Sequence, residues 1–458
     1  MSALASAMTA IERRASIGLA GIYGLRMLGL FIILPIFALY AEDLPGGESH
    51  FLIGVALGAY GLTQSILQIP AGWLSDRYGR KPVIIVGMLL FALGSFIAAS
   101  ADDIYWIILG RVIQGSGAIN AAVMALTADL TREEHRTKAM AMIGMTIGVT
   151  FSLSMILSPL LYKHIGMSGM FTLVGVLAFA SIAVVLWFIP NPKITRFHSD
   201  MEANSSKLAE VLRNKDLLRM DFGVFTLHAI LMSVFMQVPF ILRADGLDAQ
   251  HQWKVYLPVM LIAFALMVPP IVIAEKKAKM KQVFMFAISL AAVAQIALLF
   301  LQGSVWGVAA SLLLFFTAFN VLEATQPSIV SKIAPLAAKG TAMGVFSSVQ
   351  FFGAFFGSVM GGLLMQYFGG DSVFIFAVFM LLLWLAVAST MRAPRALTTK
   401  MYHLSEMNEE AARQMQQSLA QLQGVSEVFV VAKEQIACVK VEISGFDEDG
   451  VENLVKGA

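Results

Sequence analysis

Charge is scarce in this chain, and cysteine almost absent. Only 14% of the 458 residues are Asp, Glu, Lys or Arg, about half the share of a soluble globular chain, which excludes a protein of this size covered by water. The one cysteine, Cys438, excludes an internal disulfide framework and any multi-cysteine metal site. A formal net charge of +2 is too small for a nucleic-acid binder. There is no P-loop lysine motif, and the run Gly115-Ser116-Gly117 follows no strand and lies in an apolar stretch, which argues against a phosphate loop. No nucleophile–base pair or metal-ligating cluster stands out. The chain does not read as an enzyme, and no cofactor is expected.

What is present is apolar. Hydrophobic residues make up 58% of the chain, with 32 Phe and 27 Met, and the mean hydropathy is +0.76. Most of the chain is expected to lie in a lipid bilayer. A helix needs roughly 20 mainly apolar residues to cross it. Stretches of that kind run approximately over 16–40, 51–74, 81–100, 104–129, 137–162, 167–190, 217–242, 253–274, 282–301, 305–331, 340–366 and 372–391, about twelve spans in all. The first holds Arg26 and Pro35 and is too long for a signal-peptide core, so it reads as a retained span. The fold class expected is an all-α membrane protein with two six-helix bundles, 1–190 and 217–392, joined by a polar linker at 191–216. A small α/β domain at 393–458 follows them.

Basic residues set the orientation. Arg13, Arg14, Arg77, Arg80, Lys81, Arg132, Lys138, Lys276, Lys281, Lys332 and the basic residues of the linker fall on the N-terminal side, whereas the opposite loops show Lys163, Arg243 and Lys254. Both termini are therefore expected in the cytoplasm, most simply in a bacterial inner membrane. The halves echo one another at a spacing near 200 residues: Pro70 to Arg80 against Pro269 to Lys279, and Asn120 against Asn320.

Between the second and third spans stands Gly72-Trp73-Leu74-Ser75-Asp76-Arg77-Tyr78-Gly79-Arg80-Lys81. It resembles the G-x-L-x-D-R-x-G-R-K signature of the major facilitator superfamily. Gly72 removes a side chain where helices approach, Gly79 permits a tight turn, and Asp76 is placed to face the positive end of a neighbouring helix. In the fourth span Arg111, Gln114, Gly115, Gly117 and Ala118 resemble a second signature of that family, R-x-x-Q-G-x-G-A. The antiporter signature of the fifth span is replaced by Ser154, Ser158 and Pro159. The resemblance implies a twelve-helix transporter that moves a small-molecule substrate by alternating access, as a monomer and coupled to protons. It also implies that Asp76 caps span eleven near Gly340 and Thr341 while Arg80 pairs with Asp129.

Ionisable groups at membrane depth are functional candidates: here Arg26, Arg111, Asp221, His228 and Glu323, with amides Gln64, Gln114, Gln237, Gln295 and Asn320 beside them. Asp221 and His228 lie about two turns apart on one face of span seven. Glu323 is one turn from Asn320 and one from Pro327; a carboxyl that meets water from alternate sides can load and release a proton, and a neutral acid bonding a neighbouring helix is the plainer reading. The glycines of span eleven, Gly353, Gly357, Gly361 and Gly362, read as a packing seam.

Beyond Met391 the composition turns polar. A strand at 400–404, a helix at 408–423, strands at 425–431 and 436–443 and a last helix capped by Asp447 give the order βαββα. It resembles a ferredoxin-like fold, and the run from Leu422 to Val428 resembles heavy-metal-associated domains. The C-x-x-C of those domains is missing around Ser405 to Asn408, so no metal is expected, and Cys438 reads as structural. The function expected is proton-coupled efflux of small, partly hydrophobic compounds. Proton-coupled uptake is the alternative within transport, and a ligand sensor signalling through the tail is the alternative outside it.

Overall fold

The computed structural model of the chain describes residues 8–191, 205–276, 279–391, 397–405, 407–432, 436–442, 446 and 448–456. The first crossing is made by α1 (Ala10–Phe31) and α2 (Leu34–Glu42), the second by α3 (His50–Tyr78), the third by α4 (Arg80–Ala99), and the fourth by α5 (Ile104–Ser116) and α6 (Asn120–Leu130). Then comes α7 (Glu133–Ala183), followed by a short α8 (Ser205–Arg213). The later crossings are α9 (Lys215–Ala244), α10 (Trp253–Lys276), α11 (Met280–Leu301), α12 (Val305–Ile333), α13 (Lys339–Phe368) and α14 (Asp371–Ser389).

Among the described residues, 11 helical stretches are long and apolar enough to cross a membrane. At 1.5 Å per residue the 51 residues of α7 are more than twice the thickness of a hydrocarbon core. Gly166, at φ 64° and ψ −179°, breaks it where the sequence places a loop between spans five and six. That makes twelve crossings, as the hydropathy pattern predicts.

Two crossings that read as continuous from sequence are broken. The first is interrupted at Ile32 and Ile33, because Pro35 in the first turn of α2 has no N–H and its ring would strike the carbonyl of Phe31. The fourth is interrupted at Gly117 to Ile119. There the backbones of Gly117 and Gly87 touch so closely that a Cβ on Gly117 would collide with the Gly87 carbonyl. The polar linker contains α8, whose Val211 is buried; the rest of its expected length, 192–204, lies outside the described residues.

The halves meet along α3 and α13. Gly54, Gly58 and Gly61 of α3 lie against Ser358, Phe355 and Phe351 of α13, while Gly362 of α13 lies against the His50 carbonyl. On another side of α13, Gly353 and Gly357 lie against the backbone of Phe225 and Ala229 in α9. The glycine seam of this helix therefore serves two neighbours. Hydrogen bonds stitch the halves at the His50 end: Ser49 Oγ and Phe51 N both donate to Gln366 Oε1 at 3.0 Å, and Arg243 pairs with Glu42 at 2.7 Å.

The tail holds β1 (Leu397–His403), α15 (Glu409–Ala420), β2 (Val425–Val431), β3 (Ile436–Glu442) and α16 (Glu448–Lys456). Asn408 caps α15 by accepting from Ala411 N at 2.8 Å. The sheet order is β1-β3-β2 with both pairings antiparallel. Ala437, Val439 and Val441 of β3 form a core with Met415, Leu419 and Val451. Lys440 points the other way, as strand alternation requires: its Nζ donates to Ala334 O at 3.0 Å. Glu427 Oε1 accepts from Leu336 N at 2.9 Å. The tail thus grips the turn between α12 and α13. The expected cap Asp447 lies outside the described residues.

Candidate functional site

The signature loop folds around Arg80. Gly79 joins α3 to α4 at φ 95°, a backbone that L side chains rarely adopt. A Cβ on Gly72 would stand 3.2 Å from that of Ala121, so this glycine lets α3 approach α6. Arg80, buried at the start of α4, donates to Asp76, to Ser75 Oγ at 2.9 Å and to Asp129 Oδ2 at 3.4 Å. The expected pair with Asp129 is present. Arg77 is exposed, its guanidinium 5.6 Å from the Trp73 ring centre and 5.5 Å from that of Tyr78. Asp76 departs from the expectation. It turns to Arg80, α13 begins without a side-chain cap, and Thr341 Oγ1 is buried without a partner. With the halves stitched at the opposite end of α13, the start of that helix is not held by Asp76. At the same end of the first half Glu12, which sequence reasoning passed over, accepts from Arg132 N at 2.8 Å and Nε at 2.9 Å. The visible sign was a capping pair: Thr9 and Glu12 three residues apart at the start of a helix.

Inside the first half lie two fully buried guanidiniums. Arg26 of α1 donates to Asn120 Oδ1 at 2.6 Å and to Gln64 Oε1. Gln64 Nε2 in turn donates to Gln68 Oε1 at 3.0 Å. Arg111 of α5 donates to Gln114 Oε1 at 2.7 Å and to the Leu57 carbonyl at 3.2 Å, and Gln114 donates to Ser95 Oγ at 2.9 Å. Between them stands Tyr60, its ring centre 5.7 Å from Arg26 and 5.0 Å from Arg111, its hydroxyl buried without a partner. Neutral amides, a carbonyl and an aromatic face meet both cations, while Nε of each stays buried without a hydrogen-bond partner. Sequence reasoning singled out both arginines but missed Tyr60 and Gln68, which a pattern of charges does not flag.

The second half carries an acid and a base instead. His228 of α9 and Glu323 of α12 approach to 3.6 Å between Nε2 and Oε2. Gln350 of α13 places its Nε2 2.8 Å from His228 Nε2 and 3.3 Å from Glu323 Oε1. His228 Nδ1 lies 3.1 Å from the Val224 carbonyl, and the Phe319 ring stands T-shaped to the imidazole with 5.9 Å between ring centres. The Glu323 side chain keeps 25% of its surface exposed, against 7% for His228. Phe319 in turn packs against Phe151 of α7, with 5.6 Å between ring centres, so the cluster lies toward the first half. Asp221 stays apart and makes no hydrogen bond or ion pair among the described residues. Asn320 is buried one turn from Glu323, its Nδ2 without a partner. Gln350 was missed. Its signal was position, since it continues the stripe of Gly353 and Gly357 that faces α9.

No group of three or more His, Cys, Asp or Glu side chains suited to a metal ion occurs among the described residues. The sequence profile of the Major Facilitator Superfamily matches residues 19–358. The chain belongs to the major facilitator superfamily. It is 43% identical over 451 residues to the inner membrane transport protein YajR of Escherichia coli, covering 98% of this chain and 99% of that protein. It is also 25% identical over 348 residues to the multidrug resistance protein MdtH of Aeromonas salmonicida, covering 74% of this chain and 85% of that one. Among solved structures, a bacterial homologue of the human lysosomal transporter Spinster superposes with a TM-score of 0.70 at 14% identity, covering 83% of this chain and 97% of that one. The chain is a multi-pass membrane transporter for a small-molecule substrate, not an enzyme.

Proposed function

We propose that the protein is a proton-coupled exporter of small, partly hydrophobic compounds in a bacterial inner membrane, working as a monomer by alternating access with both termini in the cytoplasm. The observation that carries this reading is the Glu323–Gln350–His228 cluster. It is the part-exposed, titratable group at the inner face of the second half. Such a group exchanges protons with whichever side water enters. The family signatures supply the rocking machinery and the sequence offers no nucleotide site, so a gradient drives the cycle. The kinship with a multidrug resistance protein supports efflux. The orientation rests on the clustering of basic residues, and by it the halves meet at their periplasmic ends, an inward-open state.

In this reading Gly72, Asp76, Arg77, Gly79, Arg80 and Asp129 form the conformational switch, and Arg26, Arg111, Gln114, Asp221, His228, Asn320 and Glu323 line or support the transport path. The working units are the bundles 1–190 and 217–392 with the linker 191–216 between them. The tail at 393–458 is ferredoxin-like, its β1-β3-β2 order being that of a split βαβ. It holds the α12–α13 turn and tunes transport without forming the path. The test is proton movement: purified protein in vesicles carrying an internal pH dye, challenged with lipophilic dyes and drugs. Proton counterflow that requires both protein and compound supports the reading. Movement of the compound with the proton reverses its direction, and compound flux without proton flux removes the coupling.

A further inference from the structure

The Nδ1 of His228 faces the Val224 carbonyl at 3.1 Å. A carbonyl only accepts, so Nδ1 carries the hydrogen and in the neutral imidazole Nε2 is a bare acceptor. The Gln350 amide nitrogen meets that acceptor at 2.8 Å and Glu323 Oε1 at 3.3 Å. One NH2 group thus donates to both partners, an arrangement that suits neutral histidine and ionised glutamate together.

A proton placed on this pair breaks the pattern. On His228 Nε2 it makes a second N–H, which faces the amide N–H of Gln350 donor to donor. The amide must turn its oxygen to the imidazolium, and its NH2 then leaves the Glu323 carboxylate, which lies 3.6 Å from Nε2 and takes up the ion pair. On Glu323 the proton removes the charge that the amide was bonding. Gln350 belongs to α13, whose far end is stitched to the first half and whose near end lies free of Asp76. We infer that Gln350 is the positioning residue that converts the single proton held by His228 and Glu323 into a shift of α13. This deepens the proton-coupled reading above and rests on it.

The other groups around the cluster leave Gln350 in this role. Phe319 of α12, which carries no titratable group, stands T-shaped to the imidazole. From the first half, Tyr23 of α1 lies within electrostatic range of both Glu323 and Arg26. Asp221 lies seven residues before His228, about 10 Å along the axis of α9, too far to share its proton.

The experiment uses the full chain with Cys438→Ser and spin labels at Tyr78→Cys and Gly340→Cys, reading their separation between pH 5 and 9. The expected result is a distance change that follows one proton in the parent. Gln350→Leu should abolish that change or move its midpoint by about one pH unit or more, and Gln350→Asn, which keeps an NH2 donor on a shorter side chain, should restore part of it. A parent-like response in Gln350→Leu overturns the inference. Glu323→Gln separates the two levels: if it also responds like the parent, proton coupling at this cluster itself fails, whereas if it alone loses the response, only the role of Gln350 fails. A measurement without any change at 350 tests the geometry directly. In histidine labelled with 15N, with the His228 signal assigned by its loss in His228→Gln, the neutral ring should carry its hydrogen on Nδ1 above pH 8. Hydrogen on Nε2 overturns the inference, since Gln350 would then have no acceptor there.

Discussion

The halves of this transporter repeat one helical plan but fill their centres with opposite chemistry. The first half holds Arg26 and Arg111, both sealed from solvent and held by amides, a carbonyl and the face of Tyr60. The second holds His228 and Glu323, bridged by one amide and partly open to solvent. Arginine does not titrate at any physiological pH, whereas histidine and glutamate do. The repeat therefore separates a fixed-charge scaffold from an exchangeable one. The position of Glu323 corresponds to Val123 in the first half, so the acid belongs to one half rather than to the shared plan.

The sharpest way to break this comparison is Glu323→Gln. It keeps shape and hydrogen bonding, so binding of a lipophilic dye should persist while dye accumulation driven by a pH gradient falls about 100-fold or more, the lower end of what one positioned proton-transfer group contributes. Gradient-driven transport at the parent's rate would return Glu323 to a structural role. Arg26→Gln probes the other half. It leaves the oxygens of Gln64 and Asn120 short of a donor and should lower stability by about 1–3 kcal/mol, read as a drop in thermal midpoint. The pH profile of transport should stay where it is; a displaced profile would show that the first half also takes part in coupling.

Asp76→Asn has a smaller effect. It weakens the charge that Arg80 and, in the outward state, the start of α13 would meet, at about 1 kcal/mol for a helix-terminus contact. The inward-open population should rise roughly fivefold by that energy, seen as greater labelling of a cysteine at Gly340 and less of one at Gln366 in the Cys438→Ser chain. Unchanged labelling would remove Asp76 from the switch. The smallest effect is expected of Lys440→Ala, which frees Ala334 O from the tail at about 1 kcal/mol and should alter transport rate by about twofold or less, with insertion intact. A complete loss would make the tail essential.

Most of the helical plan is legible in the sequence because lipid imposes it: a run of some 20 apolar residues has few alternatives to a crossing. The breaks at Ile32 and Gly117 were not legible, because each depends on what lies across the helix. Pro35 marks the first only once the helix is known to continue past it, and Gly117 needs the backbone of Gly87 beside it. The arginines, His228 and Glu323 announce themselves as charges in lipid. Gln350 does not, since one amide in a glycine-rich helix is unremarkable until α9 and α12 are seen to converge on it. The Arg80–Asp129 pair follows from the loop signature, while Asp76 turns to Arg80 rather than to the start of α13, a partner that under the alternating access proposed above is set by the state rather than by the motif.

The pair of guanidiniums about Tyr60 has an electrical consequence. Two positive charges sit in the membrane-spanning part of one half, carried by arginine, a side chain that keeps its charge at physiological pH. Under the alternating access proposed above, the water-filled cavity beside this half opens first to one face of the membrane and then to the other, so the membrane voltage falls now across one side of the sealed pair and now across the opposite side. Each charge that traverses the whole field contributes about 2.3 kcal/mol per 100 mV. Voltage alone should then bias the resting state of the transporter, with or without cargo, and a capacitive current on stepping the voltage across an oriented membrane would carry the signature of Arg26 and Arg111.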